Sequence, residues 1–219
     1  SYSVSAVLER QNLASPLADA LLAGGIPCAE ITFRTAAALE AIRTVAGRGD
    51  MLVGAGTVLT VDQVKAAVDA GATFIVTPGL NPEVVRYCTE RKIPIAPGVA
   101  TPTEIVTAIN LGLDVLKFFP ADAFGGLKTL KAVSAPFGQV QFIPTGGIDA
   151  ANLVEYLTFP KTLAVGGSWL VKSELIKARG LDTMTTEMCG SAGTFAFLGG
   201  HRRLRREGAV EELDLEETV

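Results

Sequence analysis

The stretch DVLKFFP, residues 114–120, is a short apolar run that ends at a proline, which is the pattern of a buried strand. It contains a lysine, Lys117. If the ammonium group of this lysine is buried, it loses its water, and this loss lowers the pKa of a lysine. A lysine that is neutral near pH 7 is a nucleophile able to form a Schiff base with a ketone. The alternative is that Lys117 lies at the strand end and points into solvent.

Outward from this stretch, short β-branched runs alternate with amphipathic helical stretches. Strands are predicted at about 3–8, 28–33, 51–55, 73–77, 93–96, 114–119, 140–143 and 162–166. Helices are predicted at about 13–22, 36–45, 61–70, 82–91, 103–111, 127–133 and 150–157. Asn81, Thr101 and Asp149 lie where helix caps are expected. This alternation predicts a parallel sheet, closed most economically as a (β/α)8 TIM barrel. A doubly wound open sheet is the alternative, but it explains less well why polar residues recur near the C-terminal ends of strands.

The composition narrows the class of protein. The chain has 219 residues, of which 48% are apolar and 19% charged, typical of a globular protein. A net charge of -4 argues against nucleic acid or an anionic membrane as the main partner. No apolar run reaches the length of a membrane span, and the N-terminus shows no signal-peptide pattern.

Cysteine and histidine usage limits the chemistry further. Cys28, Cys88 and Cys189 are an odd number without CxxC spacing, which fits a reducing, cytoplasmic compartment. The single histidine, His201, makes a histidine-based metal site very unlikely, so we expect no metal.

The C-terminal part of the chain differs in character from the rest. The chain is glycine-rich at 184–200, basic at 201–207 and acidic at 211–217. We therefore divide it into a barrel domain at 1–180 and an atypical C-terminal segment, a final helix or tail, at 181–219. A charge run of this kind is usually a solvated segment, and a partner-facing extension is the alternative.

The second strand carries polar side chains on one face. Because side chains alternate along a strand, Glu30, Thr32 and Arg34 share a face opposite Ile31 and Phe33. In a barrel the apolar face meets the helices, so the polar side chains point inward. Buried charges of this kind are costly unless they pair or bind something. A structural ion pair between Glu30 and Arg34 is the alternative to a functional site.

The same alternation places Lys117 inward from the sixth strand. An amine, a carboxylate and a guanidinium would then meet at one mouth of the barrel. The amine can attack a ketone, the Glu30 carboxylate can move protons, and the Arg34 guanidinium can hold a substrate carboxylate.

Glycine-bearing turns are predicted after three strands, at 54–57, 144–148 and 166–169. The loops after strands seven and eight are the usual phosphate site of a TIM barrel. Glycine lets backbone N–H groups approach an anion, and a following helix N-terminus adds partial positive charge. The sequence therefore predicts a phosphorylated substrate.

Taken together, these stretches resemble the 2-keto-3-deoxy-6-phosphogluconate (KDPG) and 4-hydroxy-2-oxoglutarate (KHG) aldolases, a class I family with a (β/α)8 fold. The motifs that carry the resemblance recur in order over residues 12–178: AEITFRT (29–35), GAGTVLT (54–60), VTPGLNPEVV (76–85), PIAPGVATPTE (94–104), LKFFPA (116–121), PTGGI (144–148) and VGGSWLV (165–171).

The resemblance implies a role for each site residue. It implies that Lys117 is the Schiff-base lysine, that Glu30 is the general acid/base, and that no cofactor is required. It further implies contacts to the pyruvate moiety from Arg34, Thr57 and Thr145, and a phosphate site at Gly146, Gly147, Gly166, Gly167 and Ser168. Members of the family are homotrimers, and many also cleave 4-hydroxy-2-oxoglutarate.

The chain departs from the family pattern at both ends. The first strand, SVSAVL (3–8), lacks the Val-Pro-Val core usual in the family, and only Ser1-Tyr2 precede it where an amphipathic helix is usual. The segment from about Met184 does not resemble the family's last helix. Three other functions stay open: a 2-keto-3-deoxy-6-phosphogalactonate aldolase, a non-catalytic barrel scaffold or assembly subunit, and a phosphosugar isomerase or epimerase.

Overall fold

In the computed structural model, which describes residues 2–8 and 11–167, strands and helices alternate along the chain. The strands are β1 (Tyr2–Ala6), β2 (Cys28–Thr32), β3 (Leu52–Gly56), β4 (Phe74–Val76), β5 (Ile95–Ala96), β6 (Gly98–Val99), β7 (Val115–Phe118), β8 (Gln141–Pro144) and β9 (Val165–Gly167). The helices are α1 (Ala14–Ala23), α2 (Ala38–Arg48), α3 (Val61–Asp69), α4 (Pro82–Glu90), α5 (Pro102–Asn110), α6 (Gly126–Ser134) and α7 (Leu153–Leu157).

The strands form a closed parallel barrel. One sheet has the order β5-β4-β3-β2-β1-β9 and the other the order β6-β7-β8. A parallel bridge between Thr145 and Gly166 joins the end of β8 to β9, and Pro97 alone separates β5 from β6. Because β1 pairs with both β2 and β9, the sheet returns to its first strand. The predicted (β/α)8 barrel is therefore confirmed, and the open sheet is excluded.

The fifth barrel strand is longer than its sequence pattern indicated. It was predicted to end at residue 96, but β6 continues it to Val99. Pro97 has no N–H to donate, so the ladder is interrupted there, although its carbonyl accepts a hydrogen bond from the Lys117 amide at 2.9 Å. The interruption brings Gly98 level with Lys117 on β7.

Three of the seven described helices, α3, α4 and α5, begin at a residue whose side chain caps them. The Thr60 and Thr101 side chains form capping boxes with the third helical residue, and Asn81 caps α4. The last described helix, α7, begins later than its sequence pattern indicated. It was predicted from residue 150 with Asp149 as its cap, but α7 begins at Leu153, because the Asp149 carboxylate accepts from the Ala151 amide and opens a turn.

The apolar core lies between the barrel strands and the helices. The outward side chains of β7, Leu116 and Phe118, and Phe142 of β8 have no exposed surface. Ile31 of β2 and Ile75 of β4 are buried in the same layer on the other side of the barrel. This layer contributes most of the hydrophobic stabilisation and holds the strands that carry the inward side chains. The domain boundary near residue 180, the segment 181–219 and Ser168 lie outside the described residues.

Candidate active site

The register of the parallel pairs identifies the side chains that point into the barrel, since residues paired across parallel strands share a face. Lys117 is level with Gly98 on one side and Ile143 on the other. Glu30 is level with Ser5 on β1. The inward face is therefore built around a lysine and a carboxylate, with Gly98 beside the lysine and Ser5 beside the carboxylate.

Lys117 and Glu30 face each other inside the barrel. The Lys117 Nζ atom lies 4.0 Å from Glu30 Oε1, and the two residues are only 6% and 5% exposed. The Lys117 amine also lies 4.8 Å from the centroid of the Phe119 ring. The structure thus brings these two predicted residues together, and the alternative in which Lys117 points into solvent is wrong.

The surroundings favour the neutral form of the lysine. Burial lowers the pKa of the Lys117 amine below its ordinary value, because the charged form loses its hydration. The Glu30 carboxylate opposes this effect by raising the pKa, and the Arg34 guanidinium adds to the lowering. A buried amine with a lowered pKa beside a carboxylate is the combination that nucleophilic catalysis on a ketone requires.

Arg34 occupies a different position from the one that strand alternation indicated. The strand β2 ends at Thr32, and Arg34 lies in the following turn with an exposed side chain. Alternation therefore does not fix its direction. Its charge nevertheless acts on Lys117. The alternative to a functional site, a structural ion pair between Glu30 and Arg34, is absent from the salt bridges among the described residues.

Two glycines leave room for the buried polar groups. A Cβ atom on Gly56 would overlap the Glu30 side chain, and one on Gly166 would overlap the Thr145 hydroxyl. Both glycines lie within strands, Gly56 in β3 and Gly166 in β9, not in turns after them as the sequence pattern suggested. Their inward faces supply space for the side chains opposite, a role that requires the barrel to be closed.

Thr57 and Thr145 follow the C-terminal ends of two barrel strands, β3 and β8. Thr57 follows β3 with a φ of 56°, an uncommon backbone conformation for a β-branched residue that is found chiefly at functional sites. Thr145 follows β8, is 8% exposed, and donates to the Ile143 carbonyl at 3.3 Å. Both hydroxyls therefore belong to the end of the barrel at which TIM-barrel active sites are built.

The loop after β8 contains the two adjacent glycines predicted to bind phosphate. Gly146 and Gly147 have φ values of 96° and 75°, which favour glycine. Their amides have no hydrogen-bond acceptor within the described part of the chain. The expected support from a helix N-terminus is wrong, because a turn separates the loop from α7. Gly167 lies in β9, and Ser168 falls outside the described residues.

The described residues show two further absences. No group of three or more His, Cys, Asp or Glu side chains within 2–8 and 11–167 is arranged to hold a metal ion. No described helix is long and apolar enough to cross a membrane.

Known proteins resemble this chain in sequence. The sequence model of the KDPG and KHG aldolase family matches residues 3–187. A 2-dehydro-3-deoxy-phosphogluconate aldolase of Treponema pallidum is 49% identical over 179 residues, covering 81% of this chain and 85% of that protein. A KHG/KDPG aldolase of Escherichia coli is 43% identical over 180 residues, covering 82% and 84%.

Solved structures resemble it in fold as well. A KDPG aldolase of Legionella pneumophila, with pyruvate captured at low pH as a covalent carbinolamine intermediate, has a TM-score of 0.83 at 42% identity and covers 88% of this chain and 94% of that one. A Zymomonas mobilis 2-keto-3-deoxy-6-phosphogluconate aldolase with 3-phosphoglycerate also has a TM-score of 0.83, at 39% identity. With the family model spanning most of the sequence, this chain belongs to the KDPG and KHG aldolase family.

Proposed function

We propose that this chain is a class I aldolase that cleaves 2-keto-3-deoxy-6-phosphogluconate to pyruvate and glyceraldehyde 3-phosphate. We propose the same chemistry on 4-hydroxy-2-oxoglutarate, which gives pyruvate and glyoxylate. The observation that carries the proposal is the buried Lys117 amine, 4.0 Å from the Glu30 carboxylate and with a lowered pKa. Family membership and the names of the relatives support the same reaction.

In this mechanism the neutral Lys117 amine attacks the C2 ketone of the substrate. Loss of water from the resulting carbinolamine gives an iminium ion joining Lys117 Nζ to C2. The iminium accepts the electron pair released when the C3–C4 bond breaks. Because the amine must be neutral to attack, the burial that lowers its pKa acts directly on the first step.

Glu30 is the proton carrier of the proposed reaction. Its carboxylate removes the proton from the C4 hydroxyl, directly or through water, and the aldehyde leaves as the C3–C4 bond breaks. The protonated Glu30 then gives its proton to C3 of the enamine that remains, and hydrolysis of the resulting iminium by water releases pyruvate and restores the Lys117 amine. Proton transfers of this kind typically contribute about 10²–10⁴ in rate.

The remaining predicted residues bind the two ends of the substrate in this proposal. Arg34, Thr57 and Thr145 contact the pyruvate moiety. The phosphate lies on the loop glycines Gly146 and Gly147, on Gly166 and Gly167, and on Ser168. The Gly146 and Gly147 amides, which have no acceptor among the described residues, and the position of both threonines at one end of the barrel support this assignment.

Activity assays on the purified chain separate the proposed function from the three alternatives. The phosphogalactonate aldolase differs only in the stereochemistry of its substrate, so assays of both phosphorylated keto acids separate the two. A non-catalytic scaffold would show no lyase activity on any of them. A phosphosugar isomerase or epimerase on this fold would leave the buried lysine and carboxylate without a role.

We also propose that the chain forms a homotrimer and works in the cytoplasm. The resemblance to the family supports the trimer, and the odd number of cysteines without CxxC spacing supports the reducing compartment. Light scattering on the purified chain measures the first directly. A mass of one or two chains at micromolar concentration would contradict it.

Borohydride trapping tests the proposed function. Incubation with pyruvate and borohydride should give a reduced covalent adduct, located on Lys117 by peptide mass spectrometry. Lys117→Ala should form no adduct, and Lys128→Ala, which removes an exposed lysine of α6, should form as much as the unchanged chain. An adduct on Lys117→Ala, or none on the unchanged chain, would contradict the proposal.

A further inference from the structure

The two oxygens of the Glu30 carboxylate have different surroundings. Oε1 faces the Lys117 amine at 4.0 Å. Oε2 accepts a hydrogen bond from the Ser5 hydroxyl at 2.9 Å. Among the described residues, Ser5 is the one hydrogen-bond donor to this carboxylate. The hydrogen bond therefore distinguishes one oxygen from the other.

The backbone holds Ser5 in position for this contact. Ser5 on β1 is paired directly with Glu30 on β2, so both side chains project into the barrel from adjacent strands. On its other side, the Glu30 side chain lies over Gly56, where a Cβ atom would overlap it. The carboxylate is thus confined between a donor on one strand and an open glycine surface on the other.

We propose that Ser5 is a positioning residue for the Glu30 carboxylate in the aldolase reaction. By holding Oε2, the Ser5 hydroxyl directs Oε1 toward the Lys117 amine. Oε1 then also faces the part of the substrate next to the bond between C2 and Lys117 Nζ. The serine proton stays on its own oxygen throughout, and Glu30 alone exchanges protons with the substrate. This inference rests on the proposed function, because it assigns a role within the same site.

The hydroxyl belongs to this chain's own first strand. Ser5 lies within β1 (Tyr2–Ala6) and is 25 positions from Glu30 in the sequence. Since a carboxylate can act without this donor, the expected effect of Ser5 is a several-fold change in proton transfer, not an all-or-none requirement.

Two partial reactions with pyruvate alone separate positioning of Glu30 from formation of the imine. Borohydride trapping measures attack by Lys117. Exchange of the C3 protons of pyruvate in deuterated water, followed by NMR, measures the proton transfer assigned to Glu30. A residue that acts through Glu30 should change the exchange rate and leave the trapping rate alone, whereas general damage to the fold should lower both.

The test compares three variants at one position with a matched control. Ser5→Ala and Ser5→Val remove the donor, and Ser5→Thr keeps a hydroxyl at the same place. Thr73→Val, at the opposite end of the barrel, removes a hydroxyl that donates to the Val53 carbonyl at 3.1 Å and has no part in the site. It controls for the loss of a hydroxyl as such.

We expect Ser5→Ala and Ser5→Val to lower the exchange rate and kcat by roughly tenfold, the size of one lost orienting interaction. Trapping and KM should change by less than about twofold, Ser5→Thr should restore most of the exchange rate, and Thr73→Val should behave like the unchanged chain. Unchanged exchange in Ser5→Ala, an equal fall in trapping and exchange, or no recovery in Ser5→Thr would overturn the proposal. Failure of the proposed function is distinct, because the unchanged chain would then trap no pyruvate.

Discussion

The two faces of β7 differ in charge and in what surrounds them. Leu116 and Phe118 point outward and are completely buried against the helices, in a layer without charge. Lys117, between them, points inward and is 6% exposed beside a carboxylate. The strand β2 repeats this arrangement, with Ile31 outward and Glu30 inward.

The difference separates stability from chemistry within a single strand. The outer face contributes stability through close packing of apolar side chains. The inner face places two ionisable groups away from water, which costs free energy but lowers the pKa of the Lys117 amine. Because adjacent residues of a strand lie on opposite faces, substitutions one position apart should have effects of different kinds.

The largest expected effect is on the inner face. Glu30→Gln should lower turnover by about 10²–10⁴, because the amide cannot carry the proton. Borohydride trapping of pyruvate should persist, since loss of the Glu30 charge removes an influence that raises the pKa of Lys117. Glu40→Gln, on the exposed face of α2, is the control and should keep full turnover. Normal turnover in Glu30→Gln would remove Glu30 from its assigned role.

On the outer face the expected effect is on stability alone. Phe118→Ala should lower the free energy of unfolding by about 3–5 kcal/mol, because it opens a cavity in a closely packed layer. In denaturant melts, Phe124→Ala, whose ring is 51% exposed, should change it by less than about 0.5 kcal/mol. The folded fraction of Phe118→Ala should still trap pyruvate on Lys117. Loss of trapping in fully folded protein would show that the two faces are coupled.

A smaller effect is expected where the inner face depends on a glycine that leaves space for the Glu30 side chain. Gly56→Ala should overpack the site by placing a Cβ against Glu30, at a cost of about 1–3 kcal/mol, and should lower turnover more than trapping. Gly47→Ala in α2 has open space around it and should be neutral or slightly stabilising. Equal turnover in the two variants would argue against a tight fit between Gly56 and Glu30.

The smallest effect concerns the exposed Arg34. Its charge lowers the pKa of Lys117, so Arg34→Met should raise that pKa and move the rise in imine formation to higher pH. The pH dependence of trapping at saturating pyruvate measures this shift, with Arg43→Met on α2 as the control. Because Arg34 is exposed, the shift should diminish at high salt. A shift to lower pH would show that Arg34 acts on another group.

Much of this arrangement was predictable from local patterns. The alternation of strand and helix predicted a barrel, and the caps at Asn81 and Thr101 predicted two helix starts. The isolated lysine in DVLKFFP predicted a reactive amine. Such signals are local because the side-chain periods of strands and helices, and the hydrogen bonds of a cap, involve only neighbouring residues.

Other features depended on residues that are distant in the sequence. The inward role of Gly56 appears only when Glu30 stands opposite it, and the continuation of the fifth strand past Pro97 depends on pairing with β7. The hydrogen bond from Ser5 to Glu30 spans 25 positions. The position of Arg34 beyond the end of β2 was also a matter of tertiary context, because strand ends are set by their partners.

By itself, the sequence determined the order of the elements, and it predicted a closed parallel architecture and an inward-facing pair, Lys117 and Glu30. Only the tertiary structure decided that their atoms meet at 4.0 Å, that Ser5 holds one carboxylate oxygen, and that glycines on neighbouring strands leave the space between them. The physical reason is that backbone periodicity is a property of adjacent residues, whereas desolvation, distance and steric fit depend on strands brought together by closure of the barrel.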